Sequence, residues 1–396
     1  MSREIFRQLR QMLMERLDMS RELSDKEILE MIDDLILNHM KDTCCSLKEK
    51  VELRQELFYS VRKLDVLQEL IEDETITEIM VNGPDAIFIE RGGGLFKWEK
   101  TFTSREKLED VIQQIVGKCN RVVNESMPIV DARLENGARV NAVVYPVALN
   151  GPILTIRRFP DTPVTMERLI SLGSLPKTCA EFLASLVKAR YSMIIGGGTG
   201  SGKTTFLGAL SQYIPKDERL ITIEDNAELK IQGIANLVRL EAKAANREGG
   251  SEVTIRDLIR SALRMRPDRI IVGEVRGGET VDMLQALNTG HEGSLSTAHA
   301  NSSRDMLSRL ETMTLMGVEL PLEAIRRQIA SGVDILIHLG RMRDKSRKVL
   351  EITEVCGFEE GEIKTNVLYQ WKEGEGLIKL ANLLNREKLE RAGIVL

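Results

Sequence analysis

The run Gly197, Gly198, Thr199, Gly200, Ser201, Gly202, Lys203, Thr204, Thr205 has the composition of a phosphate cradle. Its spacing fits G-x-x-x-x-G-K-[ST]. Glycines let successive backbone N–H groups turn toward one point and form an anion nest. A helix starting at the lysine aims its partly positive end at the same point. In that geometry the Lys203 ammonium reaches the β- and γ-phosphates of a nucleotide, and the Thr204 hydroxyl is placed for Mg²⁺. The apolar stretch Met193-Ile194-Ile195 enters the run and TTFLGALSQYI leaves it, so strand, loop and helix come in the order the motif requires. A glycine-rich turn without a ligand would not call for that order.

Three further clusters carry acids or imidazoles. Arg269-Ile-Ile-Val-Gly-Glu274 is an apolar strand ending in a carboxylate. Parallel sheets bind ligands at the carboxyl ends of their strands. Glu274 would therefore face the nucleotide, polarising the attacking water or holding Mg²⁺ through a water; the alternative is a solvated strand-end acid. The second cluster follows the strand LITI and contains Glu224, Asp225 and Glu228. Acids so close repel one another unless a cation or arginines compensate, and a magnesium nucleotide supplies the cation; a solvated turn is the alternative. The third, GHEGSLSTAHAN, holds His291 before a strand and His299 at its end. His299 would hydrogen-bond the γ-phosphate or the catalytic carboxylates. A zinc pair is the rival, weakened because no cysteine or third histidine lies near, and a structural histidine is the third option. His39 and His338 read as structural.

These residues need a parallel sheet to bring them together, and the pattern supplies one. From 180 to 340, strand-like runs alternate with helical ones: SMIIGG, a helix from Lys203, LITIED, TIRDLIRSALRM, RIIVGE, a helix through LQALN, SLSTAHA, RDMLSRLETM and DILIHL. Thr254 and Asp257 form a capping-box-like start for the second helical run, whose stripe Ile255, Leu258, Ile259, Ala262, Leu263 reads as core. Upstream, ITEIMVNG, AIFIER, GLFKWEK, ARVNAVVYP and PILTIRRF are short β-type runs punctuated by turn formers, with a helix over 104–119 between them. The expected class is α/β, with five parts. They are a helical extension over 1–65, a smaller α+β domain with a mainly antiparallel sheet over 66–158, and a linker over 159–168. An α/β domain with a parallel sheet follows over 169–345, then an appended hairpin and short helix over 346–396. The helical extension reads equally as a solvated hairpin and as a docking arm.

Composition narrows the function. Lys and Arg total 55 against 60 Asp and Glu, a net −5, and aromatics are 4 %, which disfavours a nucleic-acid coat or a base-stacking platform. No apolar run approaches the roughly 18–20 residues of a membrane span, and the first twenty residues lack an apolar signal core, so a cytoplasmic location is expected. The cysteines Cys44, Cys45, Cys119, Cys179 and Cys356 are odd in number and contain no Cys-x-x-Cys pair, which points to free buried thiols.

The phosphate loop GGTGSGKTT, the acidic box TIEDNAEL, the segment LRMRPDRIIVGEVRG and the histidine box GHEGSLSTAHAN occur in that order. Together they resemble the ATPases of the type II/type IV secretion and pilus superfamily. ITEIMVNGPD, DARLENGARVNAVV and LTIRRF resemble that family's N-terminal domain, and the likeness runs from about 66 to 357. The branch it looks most like is the CpaF-like ATPase of tight-adherence (Tad) pili. The long helical arm fits that type, and the tetracysteine zinc module of many larger extension motors is absent.

The resemblance implies a RecA-like P-loop motor domain, ATP and Mg²⁺ as ligands, and a homo-hexamer working at the inner face of the membrane. A polytopic inner-membrane platform protein is the implied partner, and nucleic acid is not. It also implies arginines that approach the γ-phosphate: Arg133, Arg139, Arg157 and Arg158, with Arg157-Arg158 best placed, or Arg264, Arg266 and Arg276 around the Glu274 strand. The catalytic set then reads Glu274, Glu224, Glu228, Arg157, Arg158 and His299, with Thr204 and Glu274 toward the metal. Alternatives are a RecA-like motor on nucleic acid, a nucleotide-dependent scaffold with little turnover, and a small-molecule kinase.

Overall fold

The computed structural model describes residues 3–17, 23–39, 46–134, 136–158, 163–243 and 251–395. Cys44, Cys45 and residues 159–162 of the expected linker lie outside them. The chain divides into two compact units, Met1–Asp161 and Thr162–Leu396.

The first unit opens with α1 (Arg3–Arg16), α2 (Asp25–His39) and α3 (Leu47–Arg62), followed by the short α4 (Leu67–Glu72). The arm is thus three packed helices rather than a hairpin. Leu9, Leu13, Ile32, Leu35, Leu53 and Leu57 recur at helical spacing and form a core of their own. Ser46 and Glu49 close α3 with a reciprocal capping box.

The α+β domain contains β1 (Ile76–Asn82), β2 (Ile87–Arg91), β3 (Gly94–Lys97), α5 (Arg105–Lys118), β4 (Ile129–Arg133), β5 (Arg139–Val143) and β6 (Ile153–Arg157). Its sheet runs β3-β2-β1-β6-β5-β4, with antiparallel pairing throughout. Burial alternates along β2 and β5, as expected when one face packs on a helix. Leu108, Val111, Ile112 and Ile115 of α5 supply that cover. Strand β4 carries too few apolar residues to have been read from the sequence; it is recruited as an edge partner of β5.

The second unit begins with α6 (Met166–Ser171), capped by Thr165 inside the span expected to be linker, and α7 (Lys177–Lys188). Then come β7 (Met193–Gly197), α8 (Lys203–Ser211), β8 (Leu220–Glu224), β9 (Leu237–Glu241), α9 (Ile255–Ala262), β10 (Arg269–Val275), α10 (Thr280–Asn288), β11 (Leu295–Ala298), α11 (Ser303–Gly317), α12 (Leu322–Gly332) and β12 (Ile335–Arg341). The chain ends with β13 (Arg347–Glu359), β14 (Glu362–Lys372), β15 (Gly376–Lys379) and α13 (Glu387–Arg391). One nine-stranded sheet takes all these strands in the order β15-β14-β13-β12-β7-β11-β10-β8-β9. Strands β12, β7, β11, β10, β8 and β9 pair in parallel, and β13 to β15 extend the sheet antiparallel. β7 and β8 are buried at every residue, which is why they read as unbroken apolar runs rather than alternating ones. In α9 the capping box forms as read, but Leu258 and Leu263 of its stripe are only half-buried.

The thiol reading needs correction. Cys179 is buried, and burial pushes its thiol up to about 12. Cys119 is half-buried and Cys356 is exposed. Cys356 sits on a strand of the antiparallel extension, where one face meets water.

At the amino edge of the parallel strands, Arg269 is completely buried. Its guanidinium binds Glu218 through both nitrogens on that side, Nη2 to Oε1 at 3.0 Å, and Nη1 donates to the Val187 carbonyl at 2.6 Å. Removing one partner of such a pair strands the other charge out of water. Arg269→Ala is expected to cost about 3–5 kcal/mol of stability, read as a lowered urea midpoint; a loss under about 1 kcal/mol would contradict this role.

Candidate active site

Three loops leave the carboxyl edge of the parallel sheet beside one another. The loop after β7 leads into α8; β10 ends around Glu274; β11 delivers His299. Register fixes their heights: Ala298 pairs with Gly196 of β7 and with Val275 of β10. The residue after each strand therefore emerges at the same level.

The loop requires its glycines. Gly202 caps α8 at φ +92°, a left-handed conformation that disfavours a side chain. Lys203 is 8 % exposed. Its ammonium donates to the Gly197 and Gly198 carbonyls at 3.1 and 3.2 Å and lies 3.5 Å from His299 Nδ1 and 3.9 Å from Glu274 Oε1. Desolvation lowers the Lys203 pKa, with Glu274 opposing. Gly198, Thr199, Gly200 and Thr205 are exposed and Thr204 is half-buried. The Ser201 hydroxyl is buried without a hydrogen-bond partner among the described residues.

Glu274 is held from two sides. Its Oε2 accepts from Arg276 Nε at 2.7 Å. Its Oε1 lies 3.0 Å from His299 Nε2, within ion-pair range but not aligned as a hydrogen bond. The surroundings assign the imidazole tautomer: the ammonium needs an acceptor, so Nδ1 is bare, and the proton sits on Nε2 toward the carboxylate. The imidazole is also held neutral. Desolvation and then the Lys203 charge lower the His299 pKa, against a raising influence from Glu274.

Glu224 ends β8, 3 % exposed. Its Oε2 accepts the backbone N–H groups of Glu228 and Leu229 at 2.8 and 2.9 Å, so the acidic box is a turn wrapped on its own first carboxylate. Desolvation raises the Glu224 pKa, with those two hydrogen bonds opposing. Its Oε1 is buried with no hydrogen-bond partner among the described residues. Gly273 makes this packing possible, because a Cβ there would stand 2.9 Å from Glu224 Cγ. Arg276 also reaches Asp225 at 3.6 Å, so the compensating charge expected among the acids is present as an arginine.

Of the residues read from the sequence, the structure therefore gathers the phosphate loop, Glu274, His299 and Arg276, with Glu224 and Glu228 in the adjoining turn. Arg264 and Arg266 precede β10 and so lie at the opposite edge of the sheet, a strand of roughly 20 Å away at about 3.3 Å per residue. His291 precedes β11 while His299 follows it, so the two histidines stand at opposite edges and form no zinc pair. No group of three metal-ligating side chains occurs among the described residues. In the first unit, Arg158 donates to the Asp73 carbonyl at 2.5 Å, and Arg157 is exposed at the end of β6, paired in register with Glu78 and Arg139. Sequence reasoning missed Arg341 and Arg347, which lie against the loop: Arg347 Nε donates to the Gly200 carbonyl at 3.0 Å. Reading DILIHL as a strand parallel to the one before the loop would have pointed to Arg341, two residues past its last apolar position.

The family described as Type II/IV secretion system protein matches residues 61–372. The chain belongs to this family. The secretion-family chain is 32 % identical to the conjugal transfer protein TrbB of Rhizobium radiobacter, over 79 % of its own length and 95 % of TrbB. It is 35 % identical to the type IV secretion system protein VirB11 of Brucella abortus, over 70 % and 84 % of the two chains. Among solved structures it is similar to the pilus retraction motor PilT with bound ADP (TM-score 0.53, 20 % identity, 83 % of this chain and 86 % of PilT). It is also similar to the ATPase DotB of Legionella pneumophila (TM-score 0.51, 22 % identity, 74 % and 80 %). Those two likenesses establish the fold: an N-terminal domain and an α/β ATPase domain.

The depressed His299 pKa gives a signed prediction. The folded site binds fewer protons than the unfolded chain below the ordinary histidine pKa of about 6.5. Its contribution to stability is therefore complete above that pH and is lost as pH falls through it. Thermal midpoints of the wild type and His299→Gln, compared from pH 7.5 to 5.5, should show the wild type losing more. Parallel curves would refute the neutral-imidazole assignment.

Proposed function

We propose that this secretion-family protein is a Mg²⁺-dependent ATPase, hydrolysing ATP to ADP and phosphate as a cytoplasmic hexameric motor for assembly of a Tad-type pilus. The observation that carries the reading is the convergence of the Lys203 ammonium, Glu274, His299 and Arg276 at the mouth of a glycine loop. The names of TrbB, a conjugal transfer protein, and VirB11, a type IV secretion system protein, support a role in transfer or secretion. Among the described residues no helix is long and apolar enough to cross a membrane; docking on a polytopic inner-membrane platform protein would supply the attachment.

The chemistry follows from the site. Loop N–H groups and Lys203 hold the β- and γ-phosphates, the phosphate oxygens replacing the two carbonyls that now share the ammonium. Glu274 orients or deprotonates the attacking water. Arg276 fixes its Oε2, and its Oε1 has no hydrogen bond among the described residues. His299 stands between Lys203 and Glu274 and connects phosphate occupancy to the carboxylate. Glu224 and Glu228 shape the wall beside it. For Mg²⁺ the fit is good: the half-buried Thr204 hydroxyl, and Glu274 through a water, are the hard oxygen donors this ion takes, and Oε1 of both Glu224 and Glu274 is buried with no hydrogen bond among the described residues. Held there, the ion would supply positive charge that offsets the charge on the phosphates. Of the arginines in the first unit, Arg157 is the proposed finger, exposed at the end of β6 beside Arg158. Its approach on domain closure, within a subunit or from the next one in a ring, would couple each turnover to a rigid-body movement.

The test is turnover by the assembled full chain. Lys203→Ala should lower phosphate release at least about a hundredfold with the thermal midpoint kept, the scale of losing a main transition-state contact. Glu274→Gln should retain nucleotide binding while losing turnover to a similar degree. Near-normal rates in the lysine variant would end the assignment, and a phosphorylated metabolite in place of free phosphate would make the protein a kinase.

A further inference from the structure

The assembly around Glu274 makes no use of Arg341 and Arg347. These two residues face each other directly across the β12–β13 pairing. Like charges in that relation destabilise a sheet unless something offsets them. Both side chains are exposed. Their position is fixed by the sheet: β12 runs parallel to β7 with Leu339 beside Gly197, so the strand emerges next to the phosphate loop. Arg347 spends Nε on the Gly200 carbonyl, its Cδ is 3.2 Å from where a Cβ on Gly202 would be, and Arg341 Nη1 is 3.9 Å from the same point on Gly200. Among the described residues the Arg347 Nη groups and the whole Arg341 guanidinium have no hydrogen-bond or ion-pair partner. Two guanidinium groups thus lean on the tip of an anion-binding loop with most of their donors unspent.

Their side of the loop decides what they would hold. In the sheet, β12 and β13 lie on one side of β7, whereas β11, β10 and β8 lie on the other. Lys203, His299, Glu274 and Arg276 gather on the second side. A nucleotide whose terminal phosphate meets Lys203 and Glu274 directs its opposite end toward the first side. We propose that Arg341 and Arg347 bind the nucleoside-proximal end of the nucleotide, donating to α-phosphate oxygens and the ribose hydroxyls. They would grip ADP and ATP alike, acting as an affinity clamp distinct from the groups that face the γ-phosphate. A contact made equally to ground and transition states raises KM when removed and changes kcat little.

This inference rests on the loop being a nucleotide site, and the test separates the two. Calorimetric titration of the full chain with Mg-ADP and with a slowly hydrolysed Mg-ATP analogue is run on the wild type, Lys203→Ala, Arg347→Lys and the double variant Arg341→Ala/Arg347→Ala, alongside steady-state turnover. The double variant should bind both nucleotides at least about tenfold more weakly, to the same extent for each, the scale of one or two charge-assisted hydrogen bonds. KM should rise in step and kcat should change much less. Arg347→Lys should recover part of the affinity, and raising the salt should shrink the difference. Wild-type binding with an unimpaired double variant overturns this inference alone, as does a loss confined to the ATP analogue. A fall in kcat with unchanged affinity would reduce Arg347 to a latch on the loop. Absence of nucleotide binding by the wild type would remove both readings together.

Discussion

A buried ammonium organises the carboxyl edge of this sheet. Leaving Lys203 out of water costs several kcal/mol unless nearby groups compensate. They do so incompletely: two loop carbonyls accept from it, an imidazole nitrogen stands at 3.5 Å, and the nearest carboxylate oxygen is 3.9 Å away. Glu274 is no closer because Arg276 has already claimed its other oxygen. A tight Lys203–Glu274 pair would be a finished structural ion pair and would resist exchange. A looser one, with His299 between, leaves an ammonium able to donate to an arriving anion in place of the loop carbonyls, and a carboxylate still held by Arg276.

The neutrality of His299 follows from the same constraint. An imidazolium beside Lys203 would place two cations within hydrogen-bonding reach, so desolvation and the lysine together favour the uncharged ring. Uncharged, the ring has one accepting nitrogen and one donating nitrogen, and these face an ammonium and a carboxylate respectively. It can therefore report across the site without adding charge to it. Glu224, by contrast, is stabilised by two backbone N–H groups of its own turn, so it does not depend on a cation for its place.

What could be read from the sequence was what is written in consecutive residues. The loop, the buried strands and the acids at their ends were legible because a parallel strand covered on both faces must be apolar throughout and must release its next residues at one edge. Arg276 was legible only as one of several arginines near Glu274; choosing it over Arg264 and Arg266 needed the strand's direction as well as its neighbourhood. Strand β4 escaped because an edge strand of polar and apolar residues has no periodicity of its own, and the helical arm gave its helices but not their number. Arg341 and Arg347 escaped for a different reason. Their juxtaposition depends on a hairpin register and on which strand flanks β7, and neither is set by local pattern.

Strand β10 shows how one element serves stability and chemistry without conflict. At its amino end Arg269 is locked to Glu218 by Nε and Nη2 along one edge of the guanidinium, and Nη1 reaches the Val187 and Gly293 carbonyls. At its carboxyl end Glu274 keeps one oxygen buried and without a hydrogen bond. A saturated ion pair resists change, so it belongs where the sheet must not move; an unsaturated carboxylate answers to what arrives, so it belongs where a ligand can. The apolar residues between them, Ile270, Ile271 and Val272, are buried on both faces and bind the two ends into one rigid span. Fixing Arg269 thereby fixes the height at which Glu274 meets the loop, and the structural pair at one edge sets the geometry of the carboxylate at the other.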